Sequence, residues 1–307
     1  MTDSDICSLD ALVEAFEQYQ RRTRGLHDRT LRGYGQFVRL LVREALGDDP
    51  IDVRRLDPGA VIRFVGALRG RFSPRSLKQV GTALRSFFRF LRAEGSCDGR
   101  LEAAIPRVAH WRLSSLPRCL SDEQLGQLLA CSNLATPCGR RDRAIVLVLS
   151  SLGVRPGEIA DLRLDDIDWR AGTLRLRTRK TGRGAVLPLP REAGRAIVDY
   201  LRHERPKTEE RRMFVQHLGS RRGAPVSSGV VSEAVARALR RAGVDAPLSS
   251  AYVFRHTLAS RMVRRGTSLK EVADFLGHRS LDTTTIYAKL DLTALCEVAL
   301  PWPEVTQ

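Results

Sequence analysis

Apolar side chains recur at helical spacing through the first hundred residues. Leu9, Leu12, Val13, Phe16 and Tyr19 lie three or four positions apart, which places them on one face of a helix over residues 9–19. Leu31, Tyr34, Phe37, Val38, Leu41 and Val42 predict a second helix over about residues 30–46. Asp57-Pro58 opens a third segment, with Val61, Ile62, Val65 and Leu68. An aspartate can cap the free N–H groups of a first turn, and proline at the first helical position gives up an N–H that has no partner there. Ser73-Pro74 opens a fourth, over about residues 74–94, with Leu77, Val80, Leu84, Phe87, Phe88 and Leu91, and Gly95 ends it. Four helices of this length make a small bundle.

Residues 96–118 change character. Ile105-Pro106, His110-Trp111 and Leu116-Pro117 punctuate a polar, irregular stretch that reads as a linker. The expected division is a helical domain over residues 1–105, a linker over 106–118 and a second domain over 119–307. Ser121-Asp122-Glu123 is a helix start, an apolar helix follows over about residues 141–152, and Gly153 stops it before Pro156 starts another. The period then changes. Residues 173–178 alternate apolar and polar side chains, and residues 185–189 follow a glycine-containing turn, so a β-hairpin is expected inside a helical domain. Helices are expected again near residues 192–203, 230–242, 251–264 and 269–276, with a final stretch over 281–300. The fold class is therefore mainly α with a small β-hairpin.

Charge narrows the function. The 307 residues carry 51 Lys and Arg against 35 Asp and Glu, a net charge of +16. Such an excess favours a polyanionic partner, nucleic acid first. Both halves of the chain are basic, so a nucleic acid can run between them. Along the fourth helix Arg75, Arg85, Arg89 and Arg92 form either a solvated face or a phosphate-binding one. A membrane reading has little support. No run approaches the roughly 18 apolar residues of a spanning helix, and the acidic start MTDSDICSLD lacks the pattern of a signal peptide. A cytoplasmic location is expected. The six cysteines are scattered without Cys-x-x-Cys or finger spacing, which reads as reduced, packed thiols.

Several catalytic signatures are absent from the sequence: the P-loop, the Rossmann glycines, Gly-x-Ser-x-Gly and His-Glu-x-x-His. Asp165, Asp166 and Asp168 could hold Mg²⁺ for a metal-dependent nuclease. Their crowding just before a strand favours turn residues instead.

Three segments carry more information: Gly153-Val154-Arg155-Pro156-Gly157-Glu158, Tyr252-Val253-Phe254-Arg255-His256-Thr257, and Leu276-Gly277-His278 followed by Thr283-Thr284-Thr285-Ile286-Tyr287. His278 lies 23 residues after Arg255, and Tyr287 lies nine after His278. In order and spacing these segments resemble the signature boxes of the tyrosine recombinase (phage integrase) family, including Xer-like recombinases. The resemblance covers the whole chain. It implies an N-terminal helical, SAM-like core-binding domain followed by a catalytic domain.

The resemblance also implies a chemistry. Tyr287 would attack a DNA phosphodiester and form a covalent 3′-phosphotyrosine, conserving the bond energy so that rejoining needs no ATP, metal or other cofactor. Arg155 and Arg255 would clamp the scissile phosphate, because the guanidinium fork donates two parallel hydrogen bonds and keeps its charge. Lys180, in the hairpin turn, would protonate the leaving oxygen, and Arg179 and Arg183 would touch the DNA backbone. His278 would donate a hydrogen bond to the phosphate. Glu158 would hold an active-site group, and His256 reads as a packed histidine that orients its helix. The family usually places His, sometimes Lys, three positions before the second arginine; here that position is Tyr252. A phenol can donate to phosphate, but it titrates too high to replace histidine as an acid–base group near pH 7.

The implied partners are double-stranded DNA and three further copies of the chain, a homotetramer on two DNA sites; accessory DNA-bending proteins are also admitted. Residues 292–307 would pack onto a neighbouring subunit or onto their own domain. The alternative to a recombinase is a DNA-binding regulator of the same fold that has lost its activity, for which Tyr252 is the favouring feature.

Overall fold

The computed structural model describes residues 6–47, 50–108, 117–131, 135–177, 184–246, 250–278 and 280–290. The chain divides into two compact units, Met1–Arg112 and Leu113–Gln307.

The first unit is a helical bundle. Helix α1 (Leu9–Arg24) starts where the Ser8 hydroxyl accepts the Ala11 N–H at 3.2 Å. Helix α2 (Asp28–Leu46) comes next. Asp57 and Ser73 cap helices α3 (Pro58–Ala67) and α4 (Pro74–Ala93) as the Asp-Pro and Ser-Pro pairs predict. The apolar stripes meet in one core, in which Phe16 packs edge-on against Phe87 at 5.5 Å. Two features differ from the sequence reading. Strands β1 (Ile6–Cys7) and β2 (Ile51–Asp52) pair antiparallel, a two-residue match too short to show as a period. Within the stretch read as irregular, residues 100–103 form a short helix, α5 (Arg100–Ala103), and Leu101 and Ile105 join the bundle core. Two buried apolar residues are too few to stand out among the surrounding polar ones.

The second unit is built on one buried helix. Helix α6 (Asp122–Ala130) begins with a reciprocal capping box between Ser121 and Gln124. Helix α7 (Gly139–Leu152) is apolar on nearly all sides, with Ala144 to Leu149 buried in sequence. Helices α9 (Arg191–His203), α10 (Ser228–Arg241) and α11 (Tyr252–Arg264) pack against it. Between α8 (Pro156–Asp161) and α9 lies an antiparallel sheet of β3 (Ile167–Asp168), β4 (Thr173–Leu176) and β5 (Ala185–Pro188). The expected hairpin therefore has a third, two-residue strand. Leu174, Leu176 and Leu187 face the core, while Arg175 and Val186 face outward.

A buried ionic knot ties this unit together. Asp142 on α7 accepts Arg141 Nη2 at 2.9 Å and Arg237 Nη2, from α10, at 2.7 Å, and Arg141 Nη1 also donates to the Val215 carbonyl at 3.2 Å.

Helix α12 (Leu269–Leu276) opens with a Ser268–Glu271 capping box and ends at Gly277, whose φ of 63° is left-handed. The chain beyond it is 3-10 rather than α-helical, over Leu281–Thr283 and Thr285–Leu290. Three consecutive threonines are β-branched, and their hydroxyls compete for backbone acceptors; Thr285 Oγ1 donates to the Asp282 carbonyl at 2.9 Å. The remainder of the expected final helix, and the C-terminal residues 292–307, lie outside the described residues. Among the described residues no helix is long and apolar enough to cross a membrane.

Candidate active site

The turn after α7 fixes the first cation. Gly153 takes φ 59°, and a Cβ there would stand 3.0 Å from Leu258 Cδ2 and 3.1 Å from Leu276 Cδ2. The position therefore needs glycine for both its conformation and its crowding. Two residues on, Arg155 precedes α8. Its backbone N–H donates to Glu158 Oε2 at 2.8 Å, and its guanidinium donates to Glu158 Oε1 at 2.9 Å and to the Gly277 carbonyl at 3.2 Å. Glu158, 9% exposed, thus both caps the helix and orients the arginine.

Arg255 comes from the first turn of α11 and is 5% exposed. It donates to the Gly153 carbonyl at 2.9 Å and to the Leu276 carbonyl at 2.6 Å. Carbonyls at the ends of α7 and α12 therefore receive the two guanidiniums. Such terminal carbonyls lack intrahelical partners and carry the negative end of the helix dipole. They hold the two cations beside each other.

His278 comes immediately after. Its Nδ1 lies 2.6 Å from Thr284 Oγ1. Burial, reinforced by the positive Arg255 and Arg155 and by His256, pushes its imidazole down to about 4. It is neutral at pH 7. In the tautomer in which the Thr284 hydroxyl donates to Nδ1, the ring proton sits on Nε2, where it can be donated.

Tyr287 is 2% exposed, packed among Ala259, Val263, Val272 and Leu276. Burial pushes its phenol up to about 12, against a smaller lowering by Arg255 and a raising by Cys119. Its Oη lies 2.8 Å from His256 Nδ1, and the two rings are tilted at 5.8 Å. A buried tyrosine beside a histidine is not in itself a site. Tyr200 also lies near a histidine, His217, but it stacks on Phe214 and accepts the Val215 N–H in the core.

The structure thus brings together Arg155, Glu158, Arg255, His256, His278 and Tyr287. Tyr252 opens α11 and is 47% exposed, one turn before His256 on the same helical face. Lys180, Arg179 and Arg183 lie outside the described residues. In the first unit, Arg75, Arg85, Arg89 and Arg92 share one face of α4, with Lys78 and Thr82 at the intervening three- and four-residue steps. Arg75 and Arg92 are exposed, Arg85 is half-buried, and Arg89 pairs with Glu102 at 2.6 Å.

The three aspartates have other work. Asp165 pairs with Arg211, Asp166 accepts the Arg163 N–H at 2.8 Å and the Arg177 guanidinium, and Asp168 accepts the N–H groups of Arg170 and Ala171. These bonds are those of a turn and its ion pairs, and among the described residues no three or more His, Cys, Asp and Glu side chains converge as metal ligands would. Sequence reasoning missed Thr284 as the partner of His278; the threonine run before Tyr287 was its visible trace. It also missed the three anchoring carbonyls, which leave no mark in side-chain patterns.

Comparison with known proteins identifies the family and the fold. The profile of the Phage integrase family matches residues 118–293, and that of the phage integrase N-terminal SAM-like domain matches residues 13–95. A Sinorhizobium fredii protein named as an integrase/recombinase, y4rA, is 42% identical over 99% of this chain and 74% of its own. Tyrosine recombinase XerA of Thermococcus kodakarensis is 31% identical over 92% of both. Among solved structures, XerH recombinase in a post-cleavage complex with its difH substrate superposes with a TM-score of 0.71, at 18% identity, over 99% of this chain and 92% of that one. A lambda integrase dimer on a core site gives 0.69 at 19% identity, over 98% and 81%. The fold is shared with these structures, and the profile match over more than half of the chain, with a relative at 42% identity along nearly all of it, settles the family: the chain belongs to the phage integrase family, the tyrosine site-specific DNA recombinases.

Proposed function

We propose that this chain cuts and rejoins double-stranded DNA through a 3′-phosphotyrosine on Tyr287, with no cofactor. The observation that carries the reading is the pair of guanidiniums fixed by helix-end carbonyls next to a buried tyrosine. A phosphodiester undergoing attack gathers negative charge on its two non-bridging oxygens. Two pre-placed arginines meet that charge without reorganising, in a site largely shielded from water. His278, neutral with its Nε2–H available, donates a further hydrogen bond to the phosphate, and the exposed Tyr252 phenol can donate another.

As Tyr287 Oη bonds to phosphorus, the bond to the 5′ oxygen breaks, and that oxygen takes a proton from Lys180. The free 5′ end of a second strand then attacks the phosphotyrosine and restores the backbone. The basic face of α4 tracks the phosphates of the same duplex. Strand exchange between two duplexes calls for four protomers on two sites, and accessory DNA-bending proteins would act by shaping that assembly.

The test is covalent trapping on a nicked duplex that carries the site this protein selects from a random-sequence library, with EDTA present. Wild type is expected to give a protease-sensitive adduct and Tyr287→Phe none, with both binding the DNA. Binding by both and an adduct from neither would overturn the catalytic reading in favour of a DNA-binding regulator. Cleavage that EDTA abolishes would point to metal chemistry instead.

A further inference from the structure

The nucleophile is held by a different residue from the one at the position three before the second arginine. Tyr252, Arg255 and His256 occupy positions i, i+3 and i+4 of α11 and share one face. Of the three, His256 is hydrogen-bonded to the Tyr287 phenol, Nδ1 to Oη, at 2.8 Å. That distance is within the range required of a general base. Resting on the reading of Tyr287 as nucleophile, we infer that His256 is the base that takes its proton, so that the acid–base role absent at position 252 is filled one helical turn further along.

The environment makes such a base necessary. Tyr287 is buried, its phenol is held near 12, and it meets DNA protonated at neutral pH. The other groups around it are poor acceptors. Arg255 has no lone pair to offer. His278 has its Nδ1 against Thr284, and its low basicity suits a donor.

The step balances. A lone pair of Oη forms the bond to phosphorus, and the O–H electron pair stays on that oxygen while the proton passes to His256 Nδ1. The phosphorus–5′-oxygen pair leaves with the 5′ oxygen, which is protonated separately. During rejoining the imidazolium returns its proton to the departing phenolate. For this the resting imidazole must carry its proton on Nε2, with the Nδ1 lone pair toward the phenol. The charge it gains arises beside Arg255 and His278, and the growing negative charge of the phosphorane offsets it.

The experiment separates base from acid by chemistry at the leaving group. His256→Asn keeps an acceptor near the Nδ1 position but cannot take a proton, and His256→Ala removes both functions. Each is compared with wild type on the library-selected nicked duplex and on the same duplex with sulfur as the 5′ bridging atom. Sulfur leaves as a thiolate and needs no proton, so losses from a missing acid vanish while losses from a missing base persist. Both variants are expected to bind DNA and unfold in urea like wild type. Both should form adduct about 10²–10⁴-fold more slowly on both duplexes. Imidazole should accelerate His256→Ala in proportion to its free-base concentration.

An Asn variant within threefold of wild type on the sulfur duplex overturns the inference, and so does an Ala variant whose loss is indifferent to imidazole. Tyr287→Phe is run in parallel. An adduct from that variant sinks the nucleophile assignment itself, an outcome distinct from failure of His256 alone.

Discussion

Glu158 offers a graded test of how the first arginine is held. Its carboxylate makes two separable bonds: Oε2 accepts the Arg155 backbone N–H at 2.8 Å, and Oε1 accepts the guanidinium at 2.9 Å. Both side chains are largely buried, 16% and 7% exposed, so solvent screens the pair little. A charge-assisted hydrogen bond of this kind contributes about 1.5–3 kcal/mol, and a lost helix cap costs about 1 kcal/mol. Glu158→Ala removes both and should destabilise by about 3 kcal/mol. Glu158→Gln keeps a carbonyl oxygen for the backbone N–H but turns an NH₂ toward the guanidinium, so it should lose about 2 kcal/mol. Urea unfolding followed by tryptophan fluorescence is read in a Trp111→Phe background, because of the three tryptophans, at 111, 169 and 302, the first belongs to the other unit. Adduct formation should fall on the order of 10²-fold in both variants, the scale expected for a misplaced catalytic group. If Glu158→Gln unfolds at the wild-type midpoint and forms adduct at the wild-type rate, the carboxylate does not anchor Arg155.

Gly153→Ala combines a left-handed residue with two close leucine contacts, so it should lose at least about 1 kcal/mol and slow adduct formation, since the Gly153 carbonyl holds Arg255; a variant with wild-type stability would refute the crowding. Asp142→Ala leaves the buried Arg141 without its carboxylate and should cost about 3–5 kcal/mol in urea, and a loss below about 1 kcal/mol would show the knot to be dispensable. His278 titrates at about 4 when folded, against 6.5 unfolded, so between those values the unfolded chain binds more protons. Its contribution to stability is therefore full above about pH 6.5 and lost as the pH falls toward 4. The urea midpoint of wild type should drop more steeply over that window than that of His278→Asn, and parallel curves would contradict the assignment.

Much of this is legible in sequence because local rules decide it. Asp57-Pro58, Ser73-Pro74 and Ser121 each begin a helix through bonds made within three residues. Gly153 ends one because its conformation excludes other side chains. The arginine, histidine and tyrosine boxes stand out by type and spacing. The hidden parts are set by partners distant in sequence. His256 and Tyr287 are 31 positions apart, so nothing local distinguishes His256 from a packed histidine. The strand pairs Ile6–Cys7 with Ile51–Asp52 and Ile167–Asp168 with β4 are too short to show a period. The final helix departs from its expected form for the opposite reason. The apolar spacing of residues 281–290 suits a helix, but the threonine hydroxyls and branching tighten it to 3-10.

The short stretch over residues 276–287 carries a disproportionate share of the site. It supplies a carbonyl to each arginine, then His278, its partner Thr284, and Tyr287. Among the described residues, Leu276 and Tyr287 meet Ala259, Val263 and Val272 in one apolar cluster. Segments of a domain can open locally at a free energy below that of global unfolding. When this one opens, Tyr287 departs and each arginine loses one of its carbonyl anchors in the same event. On the proposed function the segment is thus a fuse: a contact that steadies or loosens this stretch would set the fraction of molecules able to cut.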